Sequence, residues 1–158
     1  MSLDPAPIPL RRAQYGLAVL WFSPALFIFF VLMAQTLFST VYDGHKNEVM
    51  EWYGTLVWPI STLIVGAIVA NAGVRADRRV VDGALFRLTR FCCLAYILAL
   101  VMTVFAPGLG SAFDAQRDAW VMLTESRPWL VLLQGVVSAM LGVFFSRAYY
   151  DEPPAGEG

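Results

Sequence analysis

The phrase YDGHKNE, residues 42–48, sets His45 between Asp43 and Glu48, side-chain types that suit a metal ligand or a pH sensor. No second histidine exists in the chain to complete a ligand set. Asp114, Asp118 and Glu125 lie in a different polar segment, so the expectation is a solvated loop residue, with no metal site. Cys92 and Cys93 are the only cysteines and are adjacent. A vicinal pair poorly meets ordinary disulfide geometry and matches neither zinc nor Cys-x-x-Cys spacing. Inside an apolar run, both read as small packing residues. An enzyme would need Asp43, Glu48, Glu51, Asp114 or Asp118 to converge outside the apolar segments. The reading is a non-enzyme with no catalytic residues and no cofactor.

The densest charge is in VRADRRVVDG, which carries Arg75, Arg78 and Arg79, with Arg87 and Arg90 close behind. Asp77 and Asp82 dilute that field and the net charge is −1, so no nucleic-acid partner is expected. Arginines near a bilayer surface each contribute about 1 kcal/mol of attraction to anionic lipid. These five are therefore the candidate contacts for anionic headgroups or a cytoplasmic partner.

A second group is small or weakly polar. Gly66 and Ala70, and then Gly135, Ala139 and Gly142, recur at three- and four-residue spacing. Such faces let helices approach closely where lipid offers no hydrophobic drive. Gln134 and Ser138, four apart, can hydrogen-bond to another helix, as can Ser61, Thr62 and Asn71. The two expectations are packing within one bundle and an interface to a second copy or another membrane protein.

These residues need membrane helices to hold them. Of 158 residues, 58% are hydrophobic and only 15% charged, against about 25% charged in soluble domains. Four apolar segments, at about 15–38, 53–73, 84–106 and 129–146, approach the roughly 20 residues that cross a bilayer core. All should be helices, because a strand without closure leaves its backbone unsatisfied in lipid. The first apolar run is too long for a signal-peptide core and reads as a retained span. Between the interfaces none of the four holds Asp, Glu, His or Lys, the residues that mark proton pathways and intramembrane hydrolases.

The predicted fold is an all-α integral membrane protein, a four-transmembrane-helix up-down bundle over residues 15–150. Residues 1–14 form a cytoplasmic segment, extended where three prolines fall, and 151–158 a disordered acidic tail. Arg11, Arg12, Arg75, Arg78, Arg79, Arg87, Arg90 and Arg147 fall on one side, and Lys46, Arg117 and Arg127 on the other. The positive-inside rule then places both termini in the cytoplasm, in a bacterial inner membrane. Tyr42, Trp52, Tyr53, Trp58 and Trp129 are expected in an outer aromatic belt, and Tyr15, Tyr149 and Tyr150 in an inner one. Pro24 and Pro59 should kink their helices. Asp82 should cap the third helix, and Ser126 with Pro128 should open the fourth. Pro107 should break the third, and Ser111, Phe113, Asp114, Trp120 and Leu123 should form a short amphipathic helix in the second outer loop.

The function expected from this pattern is an anchoring, assembly or accessory subunit of a larger membrane complex. The alternative is a self-assembling channel or pore-forming protein, a membrane-disrupting effector included, built on the small-residue faces, the kinked helices and the Gln134/Ser138 stripe.

Overall fold

The computed structural model describes residues 8–72, 79–110, 118–147 and 149–150, with backbone only at 79, 107–110 and 149–150. Four helices carry the chain: α1 (Leu10–Phe38), α2 (Lys46–Ala70), α3 (Gly83–Gly110) and α4 (Ala119–Ser146). Each is long and apolar enough to cross a membrane. Three short strands flank them: β1 (Ile8–Pro9), β2 (Arg79–Val81) and β3 (Tyr149–Tyr150).

One face of each helix is buried at helical spacing. On α1 it is Ala13, Leu17, Trp21, Ala25, Ile28 and Leu32; on α2 it is Val49, Trp52, Leu56, Ile60 and Ile64. Cys93, Tyr96, Leu100 and Val104 supply it on α3, and Leu130, Gln134, Val137, Leu141 and Phe144 on α4. The opposite faces are apolar too: Phe38 is 88% exposed and Trp129 72%. Helices apolar all round require a surrounding that is itself apolar, as a bilayer is. Helix contacts run in a ring, α1 to α2 to α4 to α3 and back to α1, which leaves α2 and α3 on a diagonal.

The strands form one antiparallel sheet in the order β1-β2-β3. Ile8 faces Val81, Pro9 faces Val80, Arg79 faces Tyr150 and Val80 faces Tyr149. The β-branched pair Val80-Val81 suits the central strand, and Pro9, which has no N–H, sits on an edge. Val81 is fully buried. The sheet draws together the segment before α1, the one between α2 and α3, and the one after α4.

Several boundaries differ from the sequence expectation. The first helix starts at Leu10 and the second at Lys46, earlier than the apolar runs they contain. Helix α3 continues past Pro107 to Gly110. Helix α4 starts at Ala119, so Ser126 and Pro128 lie inside it. Its cap is Asp118, whose carboxylate accepts the Trp120 N–H at 2.9 Å. Trp120 and Leu123, assigned by sequence to a separate surface helix, belong to the first turns of α4; Ser111, Phe113 and Asp114 lie outside the described residues. Asp82 caps α3 as expected, accepting the Ala84 N–H at 2.8 Å. Gly44, at φ 85°, makes the left-handed turn ahead of α2 that favours glycine.

Candidate functional site

Of the five arginines singled out by sequence, Arg75 and Arg78 lie outside the described residues. Arg79 is the first residue of β2. Arg87 and Arg90 are exposed on the first two turns of α3. A long side chain so placed can keep its charged head at the bilayer surface. The inner part of the loop is thus a strand as well as a charged connection, with Val80 and Val81 packed inward.

The small-residue group divides. Gln134 is buried and Ser138 half-buried, facing the bundle. Gly66 and Ala70 on α2, and Gly135, Ala139 and Gly142 on α4, are exposed. A Cβ added at Gly66, Gly135 or Gly142 would meet nothing within 4 Å. These glycines therefore do not serve close approach between the four helices; they present flat strips to the surroundings.

A polar layer lies around Pro59, which falls inside the continuous helix α2. Proline has no N–H to give the carbonyl four residues earlier, here that of Thr55. Gln134 of α4 supplies the missing donor, its Nε2 standing 3.2 Å from the Thr55 oxygen. The neighbouring Leu56 carbonyl accepts the Tyr96 hydroxyl of α3 at 3.0 Å, across the diagonal of the bundle. Trp21 Nε1 of α1 donates to Ser61 Oγ at 2.9 Å, and Ser61 donates to the Val57 carbonyl at 2.9 Å. Tyr53 returns a bond to the Ala25 carbonyl on α1, just past Pro24. The Trp21 and Tyr96 rings stack at 5.8 Å. Apart from Ser61, whose own hydroxyl donates within α2, each of these donors holds one helix to another, with α2 as the hub.

The expected cross-helix roles of Gln134 and Ser61 are present. Thr62 bonds instead to Pro59 and the Asn71 amide to Ala67, each within its own helix. Trp21, Tyr53 and Tyr96 were missed by sequence reasoning. The proline rule does not find them: Pro24 and Pro59 free the Leu20 and Thr55 carbonyls, whereas these three side chains donate to Ser61 and to the Ala25 and Leu56 carbonyls.

At the other end of the bundle from the sheet, His45 stacks on Trp120, with ring centroids 5.2 Å apart. Glu48 lies 3.9 Å from its Nδ1, and Lys46 pairs with Asp43 at 3.5 Å. His45 is thus a partly solvated loop residue, as expected, with one face of its ring against Trp120 of α4. Among the described residues, no group of three His, Cys, Asp or Glu side chains could hold a metal ion. Cys93 is buried, Cys92 half-buried, and both are free thiols. An apolar groove of about 390 Å³ opens between α1 and α2, lined by Phe22, Leu26, Phe29, Gly54 and Trp58 among others.

Comparisons with protein-family models, with curated proteins and with solved structures return no match. The functional reading therefore stands on the geometry of the chain itself.

Proposed function

We propose that the chain is a non-enzymatic, multi-pass protein of a bacterial inner membrane, with both termini cytoplasmic, that anchors, assembles or modulates a larger membrane complex. The observation that carries this reading is the division of its weakly polar residues. Gln134, Ser61, Tyr53, Tyr96 and Trp21 face inward and join the helices to each other. Gly135, Ala139 and Gly142, with Gly66 and Ala70, face outward as strips without bulky side chains. Interfaces between membrane helices are enriched in such strips, because van der Waals contact must substitute for a hydrophobic drive. The pairing of β1, β2 and β3 supports an arrangement in which both termini and the middle loop share a side, and the excess of arginine there supports the cytoplasmic assignment.

Purification in mild detergent tests the reading. The expected result is a stable assembly, with a second copy or with another membrane protein, that Gly135→Leu with Gly142→Leu dissociates. Both positions are open, so the substitutions leave the fold intact. A monodisperse monomer with no companion would overturn it. A self-assembling pore would use the same outward faces, and its path would run between copies. Ion flux into proteoliposomes separates that reading, and membranes that stay tight at high protein loading would exclude it.

A further inference from the structure

Where α3 begins and α4 ends, beside the sheet, lies a groove of about 470 Å³ lined by Asp82, Ala84, Leu85, Leu88 and Arg147. Its two charges are opposite, yet they form no ion pair with each other or with any other described residue. One oxygen of Asp82 accepts the Ala84 N–H, and the other takes no bond from the described residues. The guanidinium of Arg147, with its fork of N–H donors, is exposed and takes no described acceptor. Among the described residues the rest of the lining is aliphatic. It continues along the outward face of α3, where Leu88, Phe91 and Leu98 are 51%, 68% and 61% exposed. Among the described residues the groove thus has a rim with one positive and one negative group, and an apolar floor that runs on into a membrane-crossing helix.

A ligand that complements all three features carries an anion and a cation in its head and an apolar tail. We propose that this groove binds a phosphatidylethanolamine-type phospholipid. The phosphate sits on Arg147, the ammonium on the free oxygen of Asp82, and an acyl chain lies along Leu88, Phe91 and Leu98. A phosphatidylcholine head carries the same charges, but its methylated nitrogen donates no hydrogen bond to the carboxylate. A phosphatidylglycerol head adds no cation for Asp82. The exposed arginines of α3, Arg87 and Arg90, draw anionic lipid in general, whereas the Asp82–Arg147 groove discriminates by headgroup chemistry. The site is independent of whether the chain has a protein partner.

The test is native mass spectrometry of the delipidated full chain. It is offered phosphatidylethanolamine, phosphatidylcholine or phosphatidylglycerol with identical acyl chains. The expected result is retention of phosphatidylethanolamine about tenfold above phosphatidylcholine, the ratio that one charge-assisted hydrogen bond supports. Asp82→Asn keeps the helix cap, since asparagine caps as well as aspartate, and should lower phosphatidylethanolamine to the phosphatidylcholine level. Arg147→Gln should weaken both lipids, because both present the phosphate. Equal retention of the two zwitterionic lipids by the unmodified chain would overturn the proposal. So would stronger retention of phosphatidylglycerol, or an undiminished preference in Asp82→Asn. The comparison among lipids on the unmodified chain needs no variant to fold.

Discussion

Tyr42 is a tyrosine that composition assigns to a membrane surface and packing assigns to the interior. Its side chain is 1% exposed and its hydroxyl meets no hydrogen-bond partner among the described residues. Trp52 and Tyr53, also expected in the outer belt, are likewise buried, while Trp58 and Trp129 do face outward. Residue type cannot separate the two outcomes, because an amphipathic ring suits either a headgroup layer or a core. Phase does separate them on α2: Trp52 and Tyr53 fall one turn from Val49 and Leu56, on the face that packs. For Tyr42, loss of solvent pushes the phenol from its ordinary value of 10.0 up to about 12. A raised folded value means that the neutral form is the one the fold holds. That contribution is fully present below pH 10 and is lost as the pH rises through about 12. Tyr42→Phe removes both the ionisation and an unpartnered hydroxyl. It should leave neutral-pH stability unchanged or slightly higher, since a buried polar atom without a partner costs free energy. The difference in thermal stability between the two chains, followed in detergent from pH 8 to 12, should widen in favour of phenylalanine above about pH 10. Parallel curves would show that the phenol is solvated.

At the scale of the element, Pro59 and Gln134 act as one unit although they lie on different helices. The proline deletes the donor for Thr55, and the glutamine restores one from α4. Interhelical hydrogen bonds in membrane proteins contribute about 0.6 kcal/mol on average and up to about 1.7. The Gln134–Thr55 bond is part-buried, so its loss belongs between those two figures. Gln134→Leu should therefore destabilise the bundle by about 1 kcal/mol. In a Pro59→Ala background residue 59 regains its N–H and can serve Thr55 directly, so the same substitution should cost close to nothing. A double-mutant cycle by reversible unfolding in mixed micelles measures the coupling. Equal costs in the two backgrounds would separate the residues. The sequence disclosed half of this unit: it marked Pro59 as a kink and Gln134 as a cross-helix donor, but gave no means to pair them across 75 positions. The same limit applies at the ends of helices. Ser126-Pro128 matches the local pattern of a helix start, but Asp118 holds a better cap eight residues before Ser126. Pro128 is then tolerated because the carbonyl it frees belongs to Thr124, an exposed residue near the helix end where water can satisfy it.

At the scale of the molecule, the four spans were legible because their signal is long and one-sided, about 20 apolar residues at a time. The sheet was not, because two- and three-residue strands carry almost no periodicity and exist only through their partners. Yet the sheet and the charge pattern bear on the same question from independent sides. Backbone pairing draws the three connecting segments to one end of the bundle, and the arginines concentrate in those segments. If the bilayer reads that charge, Arg12 and Arg147 share the cytoplasmic face and Lys46 lies opposite. Single cysteines placed at these positions, in a chain with Cys92 and Cys93 replaced by alanine, make the orientation measurable. All three sites are exposed, so reactivity reports the compartment rather than burial. On intact spheroplasts a membrane-impermeant maleimide should label Lys46→Cys alone. After permeabilisation it should label Arg12→Cys and Arg147→Cys as well. Labelling of Arg12→Cys and Arg147→Cys from outside would invert the molecule. Labelling of only one of the two would mean that an odd number of helices crosses the membrane, and the sheet joining β1 to β2 and β3 could not then form within one chain.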